Sequence, residues 1–189
     1  MKGYVYITSN GTDPEVGENL NDPIFSDTPT LGACMPNIRR FVTRGDYIFV
    51  VSGKTAGVQQ LVVGGMKVAE KISALAAHGR FPQNRLRIVD GELVGNVIVT
   101  PNGRQHALDT HAAETFRNRI KNYIVGSDPV ALETPRQIAA GREQTLSKLS
   151  EIFGRRGNRV IDIIGRMSKM DERQIEQMVD WLRGIKAMD

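Results

Sequence analysis

The spacing of apolar side chains changes character along this chain. Residues 3–9 (GYVYITS) alternate, which predicts an opening β-strand with Tyr4 and Tyr6 on one face and Val5 and Ile7 on the other. Residues 10–29 break every period. They are rich in Asn, Asp, Gly and Pro, and they predict a long loop pinned only by Leu20, Ile24 and Phe25. A short helix is predicted over 34–41, with Pro36 in its first turn. Arg44, Gly45 and Asp46 then turn the chain into YIFVV at 47–51, a continuous apolar run that predicts a buried strand. Residues 61–63 and 66–68 predict one long strand bent or bulged at Gly64 and Gly65. A short helix over 69–77, closed by His78 and Gly79, is expected to follow.

Two further short strands are predicted at 86–89 and 96–100, with turn dipeptides at Asp90-Gly91 and Asn102-Gly103. Residues 112–123 fit a helix ending near Asn122. From Thr134 the period is helical. Thr134 caps a helix with Pro135 in its first position, running toward Phe153, and residues 154–157 (GRRG) break it. Asp171 and Gln174 form a capping box for a last helix, whose apolar face carries Ile175, Met178, Val179, Leu182 and Ile185. The layout predicts an α+β protein: a small mixed-sheet pseudo-barrel over residues 1–125 with a helical C-terminal extension over 126–189.

Composition narrows the setting. The chain of 189 residues is 40% hydrophobic and has a single cysteine, Cys34, so no internal disulfide can form and a reducing compartment is expected. Residues 1–10 lack an apolar signal region, and no apolar run approaches the roughly 20 residues that span a bilayer. A cytoplasmic protein without membrane association is the expectation. Residues 1–114 hold 11 Lys/Arg and 11 Asp/Glu, whereas residues 115–189 hold 14 and 10, so the formal charge of +4 sits in the last 75 residues. Such a surface suits phosphate-bearing partners, and equally suits solvated helices.

Several short patterns carry no chemistry. Gly53-Lys54-Thr55 follows a strand, but a phosphate-binding P-loop needs a glycine five residues before the Gly-Lys pair, where this chain has Ile48. Arg44-Gly45-Asp46 reads as a turn. His106, Asp109 and His111 lack the spacing of a zinc site, and Cys34 reads as a small buried hydrophobe rather than a nucleophile. No catalytic residue, metal or cofactor is assigned.

Residues 30–51, TLGACMPNIRRFVTRGDYIFVV, form a longer pattern: Thr30, Leu31, Cys34, Pro36, Ile38, Arg39, Arg40, Gly45, Asp46 and Tyr47 at fixed spacing. This pattern resembles the core signature of the nucleotide-modification-associated domain of the second type. Residues 21–25 (NDPIF) resemble that family's Asn-Pro-Phe segment, and the Tyr-rich first strand and residues 61–68 are also similar. The resemblance covers about the first 75 residues. The loop SGKTAGVQQ at 52–60 departs from it, and the helical third has no counterpart. The resemblance implies a fold similar to the PUA-like and EVE-like pseudo-barrels. Such domains often hold a nucleobase, frequently a modified one, and relatives occur near genes for base modification and phage defence.

The residues are compatible with that implication. Arg39 and Arg40 can grip phosphate or stack on a base. Tyr4, Tyr6 and Tyr47 can stack on a base, and Asn10, Asn21 and Asn37 can read a base edge. The candidate ligand-binding set is Tyr6, Asn10, Asn21, Cys34, Asn37, Arg39, Arg40, Asp46, Ser52 and Lys54. The leading expectation is a nucleobase- or nucleic-acid-binding module whose partner is a nucleic acid or nucleotide. A homodimer contact through the C-terminal helices is a further candidate. The alternatives are a nucleotide-processing transferase or hydrolase using Asp22, Asp46 or His106, and an adaptor with an exposed apolar patch around Trp181. With no compelling acid–base pair in the sequence, an enzyme ranks lower.

Overall fold

The computed structural model describes residues 1–188. In chain order the elements are β1 (Gly3–Ile7), β2 (Thr30–Leu31), α1 (Pro36–Phe41), β3 (Tyr47–Val51), β4 (Val62–Ile72), α2 (Ala74–Arg80), β5 (Arg87–Val89) and β6 (Glu92–Val94). They continue with α3 (Ala113–Arg119), β7 (Tyr123–Ala131), α4 (Pro135–Phe153), α5 (Val160–Ile164), β8 (Met167–Met170) and α6 (Glu172–Lys186). Six strands form one mixed sheet in the order β2-β7-β4-β3-β1-β8, and β5 and β6 make a separate hairpin. The expected α+β class and mixed sheet are present. The sheet is open, with β2 and β8 at its edges, and does not close into the expected pseudo-barrel.

The chain divides into two compact units, both discontinuous in sequence. The first comprises Met1–Leu20, Asp46–Lys67 and Asp128–Asp189. Its centre is the parallel pair β1 and β3, flanked by antiparallel β8 and the first part of β4. All five residues of β1 are buried, so Tyr4 and Tyr6 belong to the core with Val5 and Ile7. The helices expected as a C-terminal extension pack in this same unit. The apolar face of α6 is buried through Ile175, Met178, Val179, Trp181, Leu182 and Ile185. Thr134 caps α4 and the Asp171–Gln174 capping box forms as expected, and Gln137 completes a second box at Thr134. Trp181, the centre of the exposed patch an adaptor would need, is buried and donates its indole N–H to Gln144 Oε1 at 3.0 Å.

Gly64 and Gly65 do not break β4. A Cβ on Gly64 would meet Val130 O at 2.6 Å, and one on Gly65 would meet the Phe49 ring at 2.2 Å. Close packing of neighbouring backbone and ring is therefore what demands glycine. A bulge falls beside them, where the β3–β4 register shifts between Val50 and Val51. The helix expected at 69–77 starts only at Ala74, because β4 continues to Ile72, and Ser73 caps it by accepting the Ala76 N–H.

The second unit comprises Asn21–Gly45 and Val68–Ser127. It holds β2 paired with the start of β7, the short helices α1, α2 and α3, and the β5–β6 hairpin. Its core joins Ala74, Ala77, Phe81, Val97, Val99, Tyr123 and Val125. The strand expected at 96–100 is irregular and makes only isolated bridges, Arg85 with Val97 and Val99 with Gln105. No helix among the described residues is long and apolar enough to cross a membrane.

Candidate functional site

The motif at 30–40 is bound from both sides by buried charge. Asp22, buried, accepts backbone N–H groups from Gly32 at 2.7 Å, Ala33 at 2.8 Å and Cys34. Arg39, fully buried, takes the carbonyls of the same segment. Its Nε donates to Cys34 O at 2.7 Å and its Nη2 to Ala33 O at 3.1 Å. Its Nη1 donates to Arg119 O at 2.9 Å and Asn122 O at 2.7 Å, which ties α1 to the end of α3. A carboxylate holds the segment's donors and a guanidinium its acceptors, so the backbone leading into α1 is satisfied without a regular ladder. Arg39 is therefore a brace and not the phosphate clamp the sequence suggested.

Polar side chains extend this frame. Asn96 Nδ2 donates to Asp22 Oδ1 at 2.9 Å and to Thr30 Oγ1 at 3.0 Å, while Asn96 Oδ1 accepts the Tyr123 hydroxyl at 2.7 Å. Asn84 Nδ2 donates to Thr30 Oγ1 at 3.1 Å. Burial pushes the Tyr123 phenol up to about 12. Gly32 completes the packing: a Cβ there would lie 2.3 Å from Asn96 O and 2.5 Å from the Tyr123 ring. Burial first, and then the Asp22 carboxylate, push the Cys34 thiol up to about 12, which keeps it protonated at neutral pH.

On the outer side of this frame lies a pocket of about 260 Å³ between α1, α3 and the residues after α3. Asn37 and Arg40 line it from α1, and Thr115, Asn118 and Arg119 from α3. Lys121 and Asn122 complete that wall. Three cationic residues and three asparagines thus line one cavity, and among the described residues its lining holds no carboxylate, imidazole or aromatic. Arg119 is partly committed, with its Nη1 on Ala33 O at 2.8 Å and its Nε on Thr115 Oγ1 at 3.0 Å. The Arg40 guanidinium lies over the Phe41 ring, 4.7 Å from its centroid, and Phe41 is 42% exposed.

The ten candidate residues are scattered by the fold. Asn37 and Arg40 share the pocket just described. Asn10 and Lys54 line a different cleft, within the first unit. Asn21 donates its amide to Leu93 O, and Cys34 sits inside the braced segment. Tyr6, Arg39, Asp46 and Ser52 are buried. Asp46 accepts the Lys2 N–H at 3.1 Å, and Ser52 Oγ accepts the Leu61 N–H at 3.0 Å, so both close local backbone. Tyr47 stacks on Phe49 with centroids 5.9 Å apart, as a packing contact and not an open platform. The sequence reading missed Asn118, Arg119, Lys121 and Asn122. The run NRIKN at 118–122, polar and basic at a helix end, was the available signal. The structural roles of Asn96 and Tyr123 carried no comparable signal.

His111 Nδ1 lies 2.6 Å from Asp109 Oδ1, and Gln105 Nε2 donates to Asp109 Oδ2 at 2.8 Å. Among the described residues no group of three His, Cys, Asp or Glu side chains could hold a metal ion. No protein-family model, characterised protein or solved structure matches the chain.

Proposed function

We propose that the protein is a nucleobase- or nucleic-acid-binding module, and that the pocket between α1 and α3 is where it grips its ligand. The observation that carries this reading is the convergence of Arg40, Arg119 and Lys121 with Asn37, Asn118 and Asn122 on one cavity that no carboxylate among the described residues lines. Cations of this kind hold phosphate oxygens, and an amide offers a donor and an acceptor side by side, as a base edge requires. The cavity, about 260 Å³, lies just below the usual range of about 300–1,000 Å³ for small-molecule sites, a size suited to a base or a single nucleotide unit. The resemblance of residues 30–51 to the nucleotide-modification-associated, PUA-like and EVE-like class supports the same ligand chemistry, and with it recognition of modified bases in a DNA-modification or phage-defence setting.

The test is fluorescence anisotropy with short single-stranded oligonucleotides carrying cytosine or 5-methylcytosine, at salt from about 50 to 200 mM. Arg40→Ala with Lys121→Ala should weaken binding and flatten the salt dependence, by a slope of about 0.7 for each lost phosphate contact to a single strand. Absence of binding at low salt, or binding untouched by the double substitution, refutes the reading. A preference for the methylated strand supports modified-base recognition, and equal affinity removes that part of it.

A further inference from the structure

The first unit contains a larger cleft, of about 670 Å³, that the nucleic-acid reading does not use. Its walls come from the end of β1, the loop 54–60, one turn of α4 and the segment around α5. Ile7, Val58, Leu146, Val160 and Ile161 give it an apolar floor and flank. Lys54, Arg159 and Arg166 give it three cations, and among the described residues no Asp or Glu lines it. Arg159 is already paired with Asp162 at 2.7 Å. Lys54 and Arg166 are exposed, and neither forms an ion pair among the described residues. Thr55 Oγ1, on a lining residue, is shut off from solvent and finds no hydrogen-bond partner among the described residues.

The loop that forms one wall is held in place before any ligand arrives. Gly53 N–H donates to Thr12 O at 2.7 Å and Gly11 N–H donates to Lys54 O at 3.0 Å, which lash residues 9–12 to the exit of β3. The approach is close enough that a Cβ on Gly53 would stand 1.7 Å from Ser9 O. At the base of the loop Gln60 Nε2 donates to Ser52 O at 2.7 Å. At its far side Arg142, on α4, donates to Gln59 O at 2.7 Å while gripping Asp13 through both terminal nitrogens. A wall fixed at three points costs little ordering when a ligand binds.

We infer that this cleft is a binding site for a small phosphate monoester with an apolar body. The cations at Lys54 and Arg166 take the phosphate, and the apolar side chains around Leu146 and Val160 cover the rest of the molecule. The volume falls within the range of about 300–1,000 Å³ typical of small-molecule sites, and a mostly apolar lining with a few placed polar groups is their usual make-up. The charge is of one sign, so an anion is attracted and a neutral analogue gains nothing from it. The inference is independent of the α1–α3 pocket, since the two cavities share no lining residue.

The test uses the full ¹⁵N-labelled chain titrated with phenyl phosphate, benzyl alcohol and inorganic phosphate, reading the backbone amides of residues 54–60. Phenyl phosphate should shift those amides to saturation and bind at least tenfold more tightly than either other compound. Lys54→Ala with Arg166→Ala should weaken phenyl phosphate at least tenfold, whereas Lys54→Arg with Arg166→Lys should hold binding within a few-fold and show that the fold is intact. Amides of 115–122 report separately on the other pocket. The inference is overturned by any one of three outcomes: unmoved amides at 54–60, equal binding of benzyl alcohol, or affinity unchanged in the alanine pair. Equal binding of inorganic phosphate overturns the apolar-body part.

Discussion

Replacing Arg39 and replacing its neighbour Arg40 should damage different properties. Arg39→Met keeps most of the buried stem and removes the guanidinium. Ala33 O keeps its bond from Arg119, so the carbonyls that lose a donor are those of Cys34, Arg119 and Asn122. A buried acceptor stripped of its partner costs about 1–3 kcal/mol; these three bonds are half-buried, so the lower half of that range applies and they sum to about 3–6 kcal/mol. For a chain of this length, each kcal/mol moves Tm by about 2–4 °C, and a loss near 4 kcal/mol lowers Tm by about 8–16 °C. Arg39→Lys should be almost as damaging, because one ammonium cannot reach acceptors spread around a planar fork. Arg40→Ala, at an exposed position, should leave Tm within about 2 °C and weaken oligonucleotide binding instead. Thermal melts followed by circular dichroism, paired with the anisotropy assay, measure both. An Arg39→Met protein that melts within about 2 °C of the parent, or an Arg39→Lys protein of parental stability, refutes the brace.

Three further outcomes are expected. A thiol reagent at pH 8 should label native Cys34, half-buried in the braced segment, far more slowly than the urea-unfolded chain, since a thiol near 12 instead of 9 has about 1,000-fold less thiolate; labelling at equal rates removes the raised-thiol assignment. Asp13 is pulled in two directions: burial raises it, while the Arg142 guanidinium and the N–H groups of Glu15 and Val16 outweigh that and hold it below the ordinary carboxylate value. A lowered folded value contributes stability that is present above about pH 4 and is lost as pH falls through it, so the Tm gap between the parent and Asp13→Asn should be full at pH 7 and shrink below pH 4; a gap independent of pH counts against the pairing. Tyr123→Phe should cost about 1–2 kcal/mol in urea melts by stranding Asn96 Oδ1, and a neutral result would show that water or a neighbour replaces the hydroxyl.

Much of the fold was legible because local signals agreed with tertiary need. β1, β3, α4 and α6 follow from alternation, a continuous apolar run, the Thr134 cap with Pro135 and the Asp171–Gln174 capping box, and each stands where those signals point. β7 was not legible. Its segment YIVGSDPVA carries Gly126, Asp128 and Pro129, residues that disfavour strands, yet pairing of Val125 with Thr30 and Ile124 with Leu31 holds its start in a sheet. β8, only four residues long, is a strand because antiparallel pairing with β1 makes it one. In both cases the deciding partner is remote in sequence, beyond the reach of any local window. Gly64 and Gly65 signal a bend from sequence, but their reason is contact with Val130 and Phe49, which becomes visible only when the strands are assembled.

The site was half legible, and the six residues of α1 show why. Successive residues on a helix turn by about 100°, so adjacent arginines cannot share an environment on a helix packed along one side. In PNIRRF, Ile38 and Arg39 go inward while Asn37 and Arg40, three apart, come out on the same face of α1 and meet the pocket. Ile38 marks the inward side in the sequence, but nothing local says that a charged neighbour follows it inside. That placement is tolerable only because Asp22, ahead of α1 in the chain, has already claimed the N–H groups of residues 32–34 and left Ala33 O and Cys34 O for Arg39. The strongest signature in the sequence therefore belongs mainly to architecture. Thr30, Gly32 and Arg39 build the frame, and from residues 30–51 only Pro36, Asn37 and Arg40 reach the cavity. The other half of its lining, from Thr115 to Asn122, lies about 80 residues further along, in a stretch where a charged helix end looks like any solvated one.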